Sequence, residues 1–474
     1  MKTLNINWKV LAITLIISAT LRAEVVFDGT FGAPPNLLGP NFAIEAQLGK
    51  QVGNNLFHSF EKFNLNFSEG AFFWGPNTIE NVINRVTGGE PSNIDGYLYS
   101  SMPKADMYFL NPAGMIFGPN AFLDIQGSLY ISTADYLRLG EDGRFDATYP
   151  EHSILTLAPP SAFGFLDNSP APISKQGSFL AIPRGKILSF IGGDLTLQDS
   201  QFPIEGVPVP QNSFITAVDG QINLVSVASS GEVPVDFKNI PNNAFEKFGK
   251  IVITDDTKEA DNFNRQVANI DVSGGGGGEI YIRGGQILVD NGYVWADTWG
   301  HENGKGIKIV ADELNLANGS RITAQAAGES TRGNGGNIDV TANRVSITGG
   351  SMLDTTTQPD TSGVAGNVTV SATESIEISG SFSEPLNGEI LRSGIHTQTF
   401  GIRNAGQIDI STANLTMQNN GVIRADTSGK GDAGNIAINV DTISLIGGAQ
   451  IKSSSIPNPI YPYSRLGNGG NITI

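Results

Sequence analysis

The sequence predicts an all-β fold, a solenoid of the parallel β-helix type. Three observations predict it: a composition suited to short strands and turns, a unit that recurs along the second half, and strict alternation of apolar residues inside each unit. The chain has 474 residues, 58 of them Gly, with 39% hydrophobic and only 16% charged residues. Hydrophobic content of that size supplies a core, so wholesale disorder is excluded. Val, Ile and Thr favour half-buried strands, and Gly, Asn and Ser favour the turns between them. Long helices would draw on more Ala, Leu, Glu and Lys.

The recurring unit opens on Gly-Asn and runs into an Ile-x-Ile or Val-x-Val pulse. Its clearest copies are Gly336-Asn337-Ile338-Asp339-Val340, Gly366-Asn367-Val368-Thr369-Val370 and Gly434-Asn435-Ile436-Ala437-Ile438. Weaker copies start at Gly278, Gly306, Gly406 and Gly470. The first aliphatic residue of each copy falls at 280, 307, 338, 368, 408, 436 and 472, giving intervals of 27, 31, 30, 40, 28 and 36. A period of this length marks a repeat architecture. Each unit then shows two more short pulses, as in Val345-x-Ile347 and Met352-Leu353, or Ile443-x-Leu445 and Ile451. Period-2 alternation over three to five residues means strands rather than an amphipathic helix. Three such strands per coil, joined by Gly and Asn bends, describe a parallel β-helix. Asn beside Gly at the corners is expected to take left-handed backbone conformations and to form a side-chain ladder. The longer intervals reflect insertions at 382–394 and 455–466, which in solenoids gather on one flank.

Other repeat folds fit poorly. The Leu-x-x-Leu-x-Leu unit of leucine-rich repeats is missing, and so is the Trp signature of propeller blades. The run Gly274 to Gly278 is not a calcium-binding repeat motif. Residues 24–245 show no obvious repeat. Val25-Val26-Phe27, Met107 to Leu110, Leu129 to Ile131 and Leu195 to Leu197 read as strands. Residues 76–87 suit a short helix or a strand equally. Pro34-Pro35, Pro159-Pro160 and the pair Pro208 and Pro210 are expected to break the chain into surface loops. Ile474 stands one strand into a new coil. A bare solenoid end exposes unpaired backbone, so we expect either a longer protein or a partner covering that end, and favour the first.

Net charge is −17. A nucleic-acid binder carries a basic footprint, and this chain has none. There is no Cys. Lys2 and Lys9 precede the apolar run from Val10 to Ile17, and small residues follow up to Ala23. Residues 1–23 therefore read as a secretory signal peptide cleaved after Ala23. The apolar run is too short to span a bilayer comfortably, and no other segment spans one as a helix. A chain that crosses an oxidising compartment unfolded gains from having no Cys, because a premature disulfide would close a loop.

Catalytic signatures are sparse. No zinc spacing, nucleophile elbow or phosphate loop occurs. The four histidines, His58, His152, His301 and His396, are scattered, and His58 reads as a packed residue. Asp255 and Asp256 are adjacent, so their side chains diverge on a strand. Asp354 and Asp426 occupy similar third-pulse positions and read as a solvated face. Phe57, Phe60, Phe63, Phe72, Phe73 and Trp74 read as core aromatics of an N-terminal cap. We expect no catalytic residues, no metal and no cofactor.

The densest motif is Asn111-Pro112-Ala113-Gly114-Met115-Ile116-Phe117-Gly118-Pro119-Asn120, running on to Asp135. Further motifs are Asn54 to Asn64, Ile79 to Gly89, Ser92 to Gly96, Gly192 to Leu197 and Gly220 to Leu224. In this order, they resemble the secretion domain of filamentous-haemagglutinin-type exoproteins, the passengers of two-partner secretion. The resemblance covers residues 24–245. It implies a right-handed, pectin-lyase-like β-helix with an N-terminal β cap, followed by β-helical repeats over 246–474. It also implies an outer-membrane barrel transporter as partner, with Asn111, Pro112, Ala113, Gly114, Met115, Ile116, Phe117, Gly118 and Asn120 as the secretion signal. Ala113 stands where the family has Asn, and the family's second motif, Asn-Pro-Asn-Leu, is not found. The expected function is that of a secreted or surface-bound adhesin with an unidentified glycan or protein receptor, reaching the surface through the periplasm and outer membrane. The alternatives are a β-helical polysaccharide-active enzyme and the N-terminal part of a larger toxin or effector.

Overall fold

The computed structural model describes residues 24–474 except 34, 205–206, 212, 238–239, 242, 256–268, 329, 384–389 and 458–465. The expected signal peptide and Asp256 lie outside the described residues. Among the described residues the regular structure is strand, apart from two three-residue 3-10 turns, Ala46–Leu48 and Pro150–His152. No helix among them is long and apolar enough to cross a membrane.

The chain winds as a parallel β-helix with three strands per coil. One coil reads Glu279–Arg283, Gln286–Asp290 and Tyr293–Trp295, and the next begins at Gly306–Val310. The sequence anchors Ile280, Ile307, Ile338, Val368, Ile408, Ile436 and Ile472 are successive Cα partners on the first face. On the second face Ile287, Leu314, Val345, Ile376, Leu415 and Ile443 stack in the same way. On the third, the stack is Ile270, Val294, Ile322, Leu353, Ile395, Ile423 and Ile451. In later coils the first two pulses join into one bent strand, as in Ile338–Thr348, whose buried and outward residues alternate.

The solenoid does not start at the visible repeats. Leu56, Val82, Met107, Leu129, Leu188, Ile222 and Ile280 continue the first-face column back to the first coil. One apolar core runs from Val25 to Ile438, with phenylalanines in its early coils. Val25–Phe27 and Lys50–Val52 pair antiparallel with Asn55–Phe63 and close the N-terminal end. Residues 76–87 resolve as strand: Asn81–Val86 is buried on both sides. Its inner side faces the core, and its outer side is covered by an antiparallel sheet of Tyr136–Leu139, Gly143–Asp146, Pro160–Phe165 and Gly231–Pro234. Between sheet and coils lies a second core that includes Phe57, Tyr108, Tyr130, Phe145 and Phe163. Arg85 is fully buried in it. Its guanidinium donates to Ser59 Oγ at 2.7 Å, Ser153 Oγ at 2.7 Å and the Asp146 carbonyl, and lies 4.3 Å over the Phe145 ring. Pro208 and Pro210, expected in a loop, stand in Val207–Gln211, which pairs antiparallel with Ser200–Ile204. A two-stranded hairpin tolerates Pro because each strand has an open edge. The insertion at 382–394 is likewise a hairpin at its base, Ser381–Ser383 with Ile390–Arg392.

The corners divide the expected Asn and Gly roles. Left-handed backbone occurs at Asn291, Asn318, Asn419 and Asn420, between the second and third faces. The Asn residues of the Gly-Asn repeat are not left-handed. They form the ladder instead: the Asn337 side-chain oxygen accepts the Asn367 N–H at 2.9 Å, and Asn367 accepts that of Gln407 at 2.8 Å. The Gly before each Asn is needed for close approach, since a Cβ at Gly366 would sit 1.8 Å from the Gly336 carbonyl oxygen.

Two outcomes follow from this packing. Leu353 is fully buried mid-stack, so Leu353→Ala should lower unfolding free energy by about 2–5 kcal/mol in urea titration. His58 is fully buried beside Phe27, Phe60 and Phe73, with Nδ1 3.2 Å from Asn84 Oδ1. Burial pushes its pKa down to about 4 from 6.5. The neutral form is the folded one, so the unfolded chain takes the proton first. Its contribution to stability is whole above pH 6.5, falls as pH drops through 6.5, and levels off near 4. The loss reaches about 3 kcal/mol. Melting of His58→Gln against the parent across pH 4–7 should show that difference shrinking as pH falls.

Candidate functional site

The expected signal segment links two faces of one early coil. Asp106–Leu110 ends at Asn111, the chain turns through 112–114, and Met115–Phe117 starts the next face. Asn111 is fully buried and shapes the turn from within. Its Oδ1 accepts the Ala113 N–H at 2.9 Å, and its carbonyl accepts the Gly114 N–H at 3.0 Å. Its Nδ2 donates to the Glu90 carbonyl and to Ser92 Oγ, both at 3.0 Å, tying the turn to the preceding coil. Pro112 fixes φ at the second turn position. Gly114 has φ +119°, a conformation that side chains resist.

Met115 and Phe117 point into the core, and Phe117 packs edge-on to Phe190 at 5.8 Å. Ile116 lies between them on the outer side and is half-buried. Gly118 passes Asp95 so closely that a Cβ would be 2.3 Å from its Oδ1. Asn120 then clamps the same carboxylate, through its N–H at 2.8 Å and its Nδ2 at 3.0 and 3.2 Å. The segment therefore sorts itself. Asn111, Gly114, Met115, Phe117 and Gly118 build the corner, whereas Pro112, Ala113, Ile116 and Asn120 are part exposed.

The aromatic residues divide differently from expectation. Phe57, Phe60, Phe63 and Phe73 are buried, but Phe72 and Trp74 are not, and Trp74 is 46% exposed. Phe72 and Trp74 alternate with Phe73 along Gly70–Trp74, so they face outward. There they join Tyr97, Tyr99 and Phe122 in an external strip with ring centroids 5.4 to 5.8 Å apart. Counting from the buried residue of each strand would have found this strip. The third-pulse acids also fall out of line. Asp354 is the Cα partner of His396, which partners Arg424. Asp426 lies two residues further along its coil, held by Lys452 at 3.3 Å. His58 and His396 are buried, whereas His152 and His301 are exposed. No group of three or more His, Asp or Glu among the described residues is placed to hold a metal ion.

None of the curated proteins matches this chain. Among solved structures, the HMW1 secretion domain from Haemophilus influenzae is similar at 14% identity, with a TM-score of 0.46, covering 86% of this chain and 96% of that one. The family model described as the TPS secretion domain matches residues 32–282, just over half of the chain and including the whole 111–120 corner. The chain belongs to the TPS secretion domain family and is a two-partner secretion exoprotein, exported across the outer membrane through a transporter of that system.

Proposed function

We propose that the corner at 111–120 is what the barrel transporter reads, and that the exported chain serves as a surface adhesin. The observation that carries the first half is the family match, which encloses a corner whose turn residues are spent on holding shape while Pro112, Ala113, Ile116 and Asn120 face outward. In this reading residues 1–23 direct the chain to the periplasm, 24–245 engage the transporter, and 246–474 form the projecting repeat body. The solenoid suits passage in the unfolded state. Each coil contacts its neighbours, so coils emerging outside the cell fold on those already formed. The adhesin half is supported by the long stack of similar coils, whose first-face outward residues beyond the covering sheet, such as Lys308, Asp339 and Asp409, lie outside both cores.

Co-expression with and without the transporter tests export. Release into the medium should require both the transporter and residues 111–120. Release without the transporter, or undiminished release after the deletion, overturns the reading. Ile116→Asp separates recognition from folding, because Ile116 faces outward: release should fall several-fold while the melting temperature stays within a few degrees. Attachment of beads coated with the exported chain to epithelial monolayers or abiotic surfaces checks the adhesin half, and attachment no better than with uncoated beads rejects it.

A further inference from the structure

The outer side of the third face bears aromatic rings that neither core uses. Along the early coils its strands are Asn41–Glu45, Gly70–Trp74, Tyr97–Ser100 and Phe122–Asp124, paired in parallel. Phe179–Ala181 packs on the last of them and pairs in turn with Phe214–Thr216. The inward residues Ala71, Phe73, Leu98, Leu123, Leu180 and Ile215 fill the core. Their outward neighbours are rings. Between centroids, Trp74 lies 5.4 Å from Tyr99 and Phe122 lies 5.5 Å from Tyr97, with Phe72 against both tyrosines. Phe179 and Phe214 follow, 6.1 Å apart. None of these rings belongs to either core, and Trp74, Phe122 and Phe179 are 46%, 50% and 52% exposed. At about 4.8 Å per coil the row runs about 19 Å from Trp74 to Phe214.

A continuous run of exposed rings marks an interface, and Trp and Tyr are the residues that carry most at interface centres. The electrostatics of the strip are one-sided. The charged residues on the six strands are Glu45 and Asp124, with no Lys or Arg among them. Asp124 is held from within, accepting the Tyr97 hydroxyl at 2.7 Å and Gln126 Nε2 at 3.0 Å. Two facts say which partner the strip fits. Its rings keep to the residues matched by the TPS secretion domain model, 32–282. Further along the face, past the pair Tyr293 and Trp295, outward positions carry Arg321, Asp354, Arg424 and Lys452 instead. The strip also adjoins the 111–120 corner. Phe122 stands two residues past Asn120 and donates its N–H to the Gly96 carbonyl at 3.0 Å, next to the Asp95 that Asn120 clamps. A surface that reaches the outward side of the corner therefore meets Tyr97 and Phe122 next.

We propose that this strip is a second contact of the barrel transporter, whose periplasmic part presents to it a protein surface apolar at the centre and basic at the rim, toward Glu45 and Asp124. This rests on the export reading and adds a face to it. Recognition then needs only the first coils to be formed, which a solenoid allows because each coil contacts its neighbours alone. The test is binding of the purified, folded chain to the same transporter in detergent, with release on co-expression measured beside it. Phe122→Ser and Trp74→Ser should each weaken binding about tenfold, the scale of one aromatic anchor, and lower release several-fold, with melting within a few degrees of the parent. Phe122→Tyr keeps the ring and should bind as the parent does. Trp295→Ser, on the same face outside the matched residues, should change neither readout. Strip variants that bind and are released like the parent, or a Trp295→Ser effect as large as theirs, overturn the proposal. So does intact transporter binding in variants that lose retardation by a neutral dextran gel, which would make the strip a sugar platform. Ile116→Asp in the same titration keeps the two readings apart. Weakened binding there with the strip variants unaffected removes the strip and leaves the corner, whereas a parent chain that the transporter neither binds nor releases removes the export reading itself.

Discussion

Register is the constraint on which the rest of this molecule depends. A parallel strand that slips by one residue turns its aliphatic side outward and its polar side into the core. Here three columns must keep register at once, because the three strands of a coil share one chain. The first-face column from Leu56 to Ile472 passes through every insertion without a slip. The corners make this possible. Each Gly of the Gly-Asn repeat lets successive coils approach, and each Asn side chain fixes the spacing by accepting a backbone N–H from the next coil. A threonine ladder does the same at the end of the third face, where Thr357 and Thr399 share a hydrogen bond of 2.7 Å.

With the inner side fixed, the outer side is free to differ along the axis. Over the early coils the first face buries its outer side as well, under the antiparallel sheet. That is why Asn81–Val86 has no exposed residue and why a strand there shows no alternation. Arg85 sits inside this second core because four acceptors, Ser59, Ser153, the Asp146 carbonyl and Thr30 Oγ1, and an aromatic face surround it. Burial still brings its pKa down to about 10, which leaves it charged at neutral pH. Along the third face the outer side changes from aromatic near Trp74 and Phe122 to ionic near Arg424 and Lys452.

The same logic explains what the sequence disclosed. From Gly278 onward, successive anchors stay between 27 and 40 residues apart and each follows the same Gly-led unit, so the anchors read off the sequence are the residues that pair in space. Before that the column is Leu56, Val82, Met107, Leu129, Leu188, Ile222, and its steps are 26, 25, 22, 59 and 34. The long step between Leu129 and Leu188 holds most of the covering sheet, and a period broken by such an insertion cannot be seen from spacing. The outer-side chemistry was hidden for a different reason. Phe72 and Phe73 are neighbours of one type with opposite fates, whereas Asp354 and Asp426 share a phase but stand one and three residues past their buried anchors, Leu353 and Ile423, and so fall in different columns. Composition carries no phase, and phase decides which side a residue faces.

The turn at 111–114 shows how a motif can change without losing its structure. The family's third turn residue is Asn, and this chain has Ala113. In the folded corner, position 113 contributes its backbone N–H to Asn111 Oδ1, a bond that any residue but Pro can make. The bonds to the preceding coil come from Asn111 itself, and the positive φ falls on Gly114. Shape therefore demands Asn at 111 and Gly at 114 and leaves 113 open. A side chain that the fold does not require, at a half-buried position facing outward, is available to whatever meets the corner from outside. Substitution at 113 then alters the surface of the turn and leaves its frame as it was.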